Sequence, residues 1–325
     1  MSIKLPYFVQ IHRPAAQALA DEAGAGLLLP AAAIAPKFFY NALGSRLFDA
    51  ITELQAYYPT RTEAAIFTAH GPAMARAAHA VTGPRPVMVD LGAGNCAKAA
   101  RLFDVIDPRA YVAVDISVDF LRQSLEALQH AHPSRDMIGV GLDFSEGLAL
   151  PPDLPGVGST PRLMFYPGSS IGNFSPPQAL NLLAQLRSAA LGGALLIGVD
   201  LVKSPQVLQA AYDDALGVTG AFNLNVLLNL NDLLGANFEV TQWQHVALFN
   251  DLSSRIEMYL QAREDTQVTW AGGQRRFLVG ERIHTENSYK WTPAQFTQLL
   301  QTAGFAQVQC WRDAQDAFGV FLATG

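Results

Sequence analysis

The stretch from Val87 to Asp115, VMVDLGAGNCAKAARLFDVIDPRAYVAVD, restricts the fold more than any other part of the chain. Its apolar run Val87–Leu91 reads as a buried strand. Gly92-Ala93-Gly94 follows as a tight turn, then a helical pattern, then a second β-rich run that ends in Asp115. Strand, glycine turn, helix, strand and acid make a nucleotide-binding βαβ unit. The first glycine permits the sharp turn, and the second lets a ligand reach the backbone with no Cβ in the way. Asp115, at the tip of the second strand, can accept two hydrogen bonds from a ribose diol. Gly92-x-Gly94-x-x-Ala97 satisfies a relaxed dinucleotide pattern as well as an S-adenosylmethionine loop. This stretch alone leaves open a choice between those two cofactors and a turn that holds no ligand.

At 325 residues the chain is long enough for two domains, or for one with a large insertion. Lys and Arg number 22 against 28 Asp and Glu, a net charge of −6, which argues against a nucleic-acid partner. The two cysteines, Cys96 and Cys310, offer neither a disulfide framework nor a zinc spacing and fit a reducing cytoplasm. The N-terminal MSIKLPYFVQIHRP lacks the layout of a signal peptide. The apolar run Ala23–Ala35 contains Pro30 and is too short to span a bilayer. A cytoplasmic protein without a membrane segment is expected. The seven histidines are scattered, with no pair at helical i, i+4 spacing, so no metal site is expected.

Taken in order, residues 1–35 read as a strand or arm followed by a helix at Ala15–Ala23. Pro36–Glu63 is dense in aromatics: Phe38, Phe39, Tyr40, Phe48, Tyr57 and Tyr58. Arg46–Leu54 has helical apolar spacing, Pro59 is expected to stop that helix, and Thr60 or Thr62 to cap the next at Glu63–Ala80. Phenols beside a glycine loop suit a small-molecule pocket, because each buried hydroxyl needs a partner. After the βαβ unit come a helix at Val118–His130 and a strand at Met137–Asp143. Asp143 can hold the amine of an adenine or cap a helix, and Phe144 can stack on the base. The strand Arg162–Tyr166 runs into PGSSIGNFSPPQ, at the end of a parallel strand where open α/β sheets bind ligands. Its Gly168 permits unusual dihedrals, and its Asn173 offers donors and an acceptor. A helix at Pro176–Ala190 and a strand at Ala194–Asp200 continue the alternation.

Beyond Asp200 the alternation breaks. Helices are expected at Pro205–Leu216 and Asn223–Leu234, then strands at Phe238–Phe249, Arg255–Gln261, Thr266–Trp270 and Gln274–Val279. The last two are joined by a hairpin turn at Ala271-Gly272-Gly273. This reads as an inserted α+β domain. A helix at Thr292–Ala303 and strands at Gln307–Arg312 and Phe318–Ala323 close the chain as an antiparallel hairpin, an ending that favours a methyltransferase over a dinucleotide fold.

Several blocks together are more specific than the glycine loop: PKFFYNALGSRLFDAIT, YYPTRTE, LGAGNCAK, PGSSIGN, DLVKSPQVLQAAYDDALGVTGAFN, SSRIEMYL, HTENSYKW and DAFGVFLA. Through them the chain resembles the histidine-specific Nα-methyltransferases of ergothioneine biosynthesis, which convert L-histidine to the betaine hercynine. The resemblance covers the chain from about Pro36 to its end. It implies an α/β fold: a Rossmann-type class I S-adenosylmethionine-dependent methyltransferase with an inserted α+β substrate-binding domain. The cofactor domain would take residues 62–200 and 290–325, and the substrate domain 1–61 and 201–289. The resemblance implies cofactor contacts from Gly92, Lys98, Asp115, Asp143 and Phe144. It implies substrate contacts from Tyr57, Gly168, Asn173, Tyr212, Met258, Glu286 and Ser288, with Tyr40 and Phe48 walling the reacting amine. Asn95-Cys96 departs from the Thr-Ser of some members, which bears on cofactor contacts.

The residues support that assignment. Glu286 and Ser288 are i and i+2 on an expected strand and project to one face, where a carboxylate and a hydroxyl can address the two nitrogens of an imidazole. Asn173 and Tyr212 can bind an α-carboxylate as neutral donors. Tyr40 or Tyr57 can take part in moving the proton of the amine. Expected partners are therefore S-adenosyl-L-methionine and L-histidine, with no oligomer required. The nearest alternative is the same chemistry on another aromatic amino acid, such as tryptophan. A dinucleotide-dependent oxidoreductase is a further one.

Overall fold

The structure is a computed structural model that describes residues 4–11, 15–145 and 147–325. In chain order its strands are β1 (Tyr7–Gln10), β2 (Val87–Leu91), β3 (Ala110–Asp115), β4 (Asp136–Gly141), β5 (Arg162–Tyr166) and β6 (Ala194–Asp200). There follow β7 (Trp243–Asn250), β8 (Arg255–Ala262), β9 (Thr266–Trp270), β10 (Gly273–Phe277), β11 (Arg282–Tyr289), β12 (Gln307–Arg312) and β13 (Phe318–Thr324).

Eight of them form one sheet in the order β1-β4-β3-β2-β5-β6-β13-β12. The pairs from β1 to β6 are parallel, and β13 lies antiparallel to both β6 and β12. Strands β2, β3, β5 and β6 are buried at every position, as the near-continuous apolar runs of a sheet covered on both faces require. Alternation sorts their side chains. Val89, Val112, Met164 and Leu195 pack with Leu183, Leu186, Phe296 and Leu300 of the helices Pro176–Ala189 and Pro293–Thr302. Met88, Tyr111, Phe165 and Leu196 face the opposite way, with Phe67, Met74 and Leu125 of the helices Tyr58–Thr82 and Val118–Ala131. This unit comprises Pro59–Val202 and Lys290–Gly325 together with the edge strand β1.

Residues 15–58 and Lys203–Tyr289 form a second unit. It holds the antiparallel sheet β11-β8-β7, the hairpin β9-β10, and the helices Ala16–Leu28, Ala42–Thr52, Pro205–Tyr212 and Val218–Leu234. Helix Val218–Leu234 begins at Gly217, where φ is +73°. The Asp214 carboxylate accepts from the Val218 and Thr219 N–H groups, satisfying two donors of its first turn. In β11 the register shifts between His284 and Glu286. The intervening Thr285 is buried, and its hydroxyl donates to the Met258 carbonyl at 3.1 Å.

Several local expectations give way. Residues 7–10 pair with β4, so the start of the chain joins the large sheet rather than residues 15–58. Pro59 does not separate two helices. It is the second residue of the helix Tyr58–Thr82, where proline removes only an N–H that has no helical acceptor. The helix before it runs from Ala42 and is capped by Asn41, whose Oδ1 accepts from the Gly44 N–H. The helical pattern after Gly94 is two short pieces, Ala97–Ala100 and Phe103–Ile106. Residues 240–242 form a 3-10 turn before β7, and β4 stops at Gly141, two residues short of Asp143.

Candidate active site

In the large unit β2 and β5 are neighbours, and the connections that leave them run in opposite directions, to β3 on one side and to β6 on the other. The crevice at the carboxyl ends of such a pair is where doubly wound sheets bind ligands. The turn Gly92–Gly94 and the loop Pro167–Asn173 follow those two strand ends. Gly92 and Gly94 have φ of +66° and +53°, conformations that admit glycine readily. The Phe144 ring tip lies 4.0 Å from where a Gly92 Cβ would sit, and the ring meets Tyr166 edge to face at 5.6 Å.

Asp115 ties the turn to β3. Its Oδ2 accepts from the Gly94 N–H and its Oδ1 from the Ser117 N–H, both at 2.8 Å. Burial pushes its pKa up, against the N–H groups of Ser117, Gly94 and Ile116, which pull it down. A carboxylate keeps lone pairs beyond those two bonds. Bare backbone at Gly92, the Phe144 ring and an acid at the end of β3 fit a nucleoside with a ribose diol and a flat base. Asp143 holds its own turn, accepting from the Ser145 N–H at 3.0 Å.

Sequence reasoning passed over Glu63. Its carboxylate is buried, 3.0 Å from the Lys98 ammonium, and accepts from the Gly168 N–H at 2.8 Å. Gly168 has φ +80°, and a Cβ there would overlap the Lys98 ammonium; a Cβ at Gly198 would overlap the Glu63 carboxylate. The pair thereby anchors the loop that carries half-buried Asn173 at the end of the 3-10 turn Ser170–Asn173. One residue on, Ser169 accepts from the Asp200 N–H at 2.8 Å, and Asp200 pairs with buried Lys290 at 2.8 Å. Beneath the glycine turn, fully buried Asp90 accepts from the Tyr111 hydroxyl at 2.6 Å. Burial raises its pKa to about 7. Tyr111 and Lys98 oppose that rise, and the charges of Asp115 and Glu63 add to it. Cys96, in the left-handed region at φ +61°, is buried, and burial lifts its thiol to about 12.

The smaller unit holds the other expected residues. Rings run edge to face from Tyr212 to Tyr57 at 6.2 Å, Tyr57 to Phe48 at 6.3 Å and Phe48 to Tyr40 at 6.0 Å. Phe222 joins Tyr40 and Phe48 and stacks on Phe39 at 4.5 Å. Sequence reasoning did not single out Phe222, because the polar residues of helix Val218–Leu234, among them Asn223, Asn225, Asn229 and Asn231, are scattered around it and leave no apolar stripe to read. Glu286 and Ser288 are both buried on β11, and Met258 on β8 is the register partner of Glu286. The Tyr212 and Ser288 hydroxyls share a hydrogen bond of 2.7 Å. Tyr40, Phe48, Tyr57, Tyr212, Met258, Glu286 and Ser288 thus belong to this unit. Gly92, Lys98, Asp115, Asp143, Phe144, Gly168 and Asn173 belong to the large one. Among the described residues no His, Cys, Asp and Glu cluster suits a metal, and no helix is long and apolar enough to cross a membrane.

A parallel sheet with a glycine turn at its switch point and an antiparallel closing strand is a Rossmann-type α/β fold, and the class of this protein is that of the S-adenosylmethionine-dependent methyltransferases. Within that class the chain belongs to the histidine-specific, S-adenosylmethionine-dependent methyltransferases, whose family model matches residues 19–325. It is 39% identical to the histidine N-alpha-methyltransferase of Mycolicibacterium smegmatis over 95% of each chain. Ergothioneine biosynthesis protein 1 of Neurospora crassa is 29% identical over 84% of this chain and 31% of the fungal protein. A 4-dimethylallyltryptophan N-methyltransferase of Penicillium roqueforti is 26% identical over 91% of this chain and 90% of its own.

Proposed function

We propose that this protein transfers methyl groups from S-adenosyl-L-methionine to the α-amine of L-histidine, three times in succession, giving hercynine for ergothioneine biosynthesis. The observation that carries this reading is the buried pair Glu286 and Ser288 on one strand, with the Tyr212 phenol 2.7 Å from the Ser288 hydroxyl. A carboxylate and a hydroxyl match the two nitrogens of an imidazole, one accepting from the ring N–H and the other serving the second nitrogen. An indole offers one N–H and no acceptor, so it would leave Ser288 unmatched.

Gly92, Lys98, Asp115, Asp143 and Phe144 hold the cofactor in this reading, which when bound supplies a methyl group activated on a sulfonium sulfur. Asn173 and Tyr212 donate to the α-carboxylate, so no cation is needed there; the Tyr212 oxygen then accepts from the Ser288 hydroxyl, whose own oxygen accepts from a ring N–H, and Gly168 and Met258 complete the substrate contacts. The attacking amine must be neutral, and a free α-amine is mostly protonated near pH 7. Tyr40 or Tyr57, directly or through a water it holds, relays that proton toward solvent, the phenol oxygen taking it up as the phenol's own proton is passed on. Each methyl group removes one N–H donor and adds bulk. The rings of Tyr40, Phe48 and Tyr57 suit the cation that results, because aromatic faces attract a quaternary ammonium. The enzyme's main contribution is alignment, since the donor is already reactive.

The net charge of −6 and the two cysteines outside any disulfide suit a cytoplasmic enzyme with a small-molecule substrate and no nucleic-acid partner. Incubating the protein and S-adenosylmethionine with each of the twenty amino acids, followed by mass spectrometry, tests the reading. Histidine should gain up to three methyl groups while the others stay unchanged. Methylation of another amino acid instead would overturn the roles given to Glu286 and Ser288.

A further inference from the structure

One half-buried histidine contacts the backbone of Tyr212. His245 lies on β7, and its Nε2 is 2.8 Å from the backbone carbonyl of Tyr212, the last residue of the helix Pro205–Tyr212. Its Nδ1 is 2.8 Å from Nδ2 of Asn223, a side chain with no exposed surface on helix Val218–Leu234. The same Asn223 nitrogen donates to the Tyr259 carbonyl on β8 at 2.9 Å. An amide nitrogen has two hydrogens, and both are used here. Turning the amide over would set its oxygen against the Tyr259 carbonyl, so Asn223 is a donor to His245. The Nδ1 atom therefore accepts, the ring proton sits on Nε2, and Nε2–H donates to the Tyr212 carbonyl. Three elements converge on a single imidazole in a single tautomer.

We infer that His245 is a positioning residue: held as the Nε2–H tautomer by Asn223, it clamps the end of the helix Pro205–Tyr212 and so aims the Tyr212 phenol at Ser288. The inference rests on the proposed role of Tyr212 in holding histidine. A second proton on His245 would face the Asn223 amide hydrogens, donor against donor, so the ring would lose the Asn223 bond that fixes its orientation while Nε2–H still donates to Tyr212. Around the ring, Asp213 and Asp214 supply nearby negative charge, Gly220 packs against it from the helix, and the Tyr259 phenol is turned to Glu257. Burial outweighs those carboxylates and holds the imidazole below its ordinary value of 6.5. A histidine depressed in this way is neutral in the clamp at pH 7, and the clamp weakens as pH falls below 6.5.

Binding of L-histidine by calorimetry, at pH 7.5 and pH 5.5, tests this on the full chain with His245→Phe and His245→Gln. Phenylalanine offers no donor, whereas glutamine donates through its amide but does not titrate. The Phe variant should bind histidine at least about tenfold more weakly at pH 7.5, with S-adenosylmethionine affinity unchanged, and the Gln variant should recover most of the loss. The ligand's own ring titrates equally in both proteins, so the ratio of Gln-variant to wild-type dissociation constants isolates His245. That ratio should fall between pH 7.5 and 5.5. A folded Phe variant with wild-type affinity overturns the inference, as does a ratio that does not change with pH, a readout that survives if the Phe variant fails to fold. Wild-type protein that binds no histidine overturns the functional proposal and this inference with it.

Discussion

Glu286 is a buried carboxylate on the inner face of β11, so its effect on substrate choice is large if it meets an imidazole N–H. Removing one partner of a buried charged hydrogen bond costs about 3 kcal/mol, on the order of a hundredfold in affinity. Glu286→Ala should weaken histidine binding by that factor and leave S-adenosylmethionine binding intact, as titration calorimetry with each ligand will read. Tyr40 makes a different prediction. It stands among rings, edge to face with Phe48 and Phe222, and Tyr40→Phe keeps that packing while removing the hydroxyl. If the phenol oxygen handles the amine proton, steady-state kinetics should show kcat falling by about a hundredfold with little change in the histidine KM. Equal losses in both would count against a role for Tyr40 confined to the chemistry. The Glu-x-Ser pair is legible in the sequence, because two residues i and i+2 on a strand must share a face. The Tyr212 bond to Ser288 is not: 76 residues separate them, and no local pattern joins a helix end to a distant strand.

The elements divide along the same line. Strands β2, β3, β5 and β6 are readable because each is a mostly apolar run between loop signals, interrupted inside only by Asp90 of β2. The region after Gly94 is not, since Cys96 adopts a left-handed conformation that no residue-type preference anticipates and delays the helix to Ala97, and a turn at Arg101–Leu102 then divides the helical pattern in two. Glu63 is hidden for a related reason. In sequence it is one acid near the start of a long helix, and only the return of the loop after β5 reveals its partners. That loop supplies the element-scale test. Gly168→Ala forces a side chain into φ +80° and against the Lys98 ammonium. The left-handed conformation alone costs about 1–2 kcal/mol. Calorimetric unfolding should register that loss, and S-adenosylmethionine affinity should fall with it, because Lys98 must move. A variant with unchanged cofactor affinity would separate the Glu63–Lys98 pair from cofactor binding.

At the scale of the whole molecule, the buried acid beneath the glycine turn couples stability to pH. Asp90 lies in the centre of the large sheet, hydrogen-bonded to Tyr111, with its pKa raised from 3.8 to about 7, chiefly by burial. An acid whose folded pKa lies above its unfolded value binds more protons when folded. Its contribution is therefore fully present below pH 3.8 and is lost as pH rises toward 7. The displacement corresponds to on the order of 4 kcal/mol across that window. Other carboxylates act in the opposite direction. Asp214 and Glu257 are held below their ordinary values by N–H, hydroxyl and guanidinium donors, and they favour the folded state as pH rises. The pH profile of wild-type stability is thus a balance, and Asp90→Asn removes one side of it. Asparagine keeps an acceptor for the Tyr111 hydroxyl and has no charge to bury. The melting temperature of the variant relative to wild type should rise from pH 5 to pH 8, reaching several degrees at the upper end. A difference that stays constant over that range would mean that Asp90 is already ionised in the folded protein at pH 5, with Lys98 rather than a proton balancing its charge.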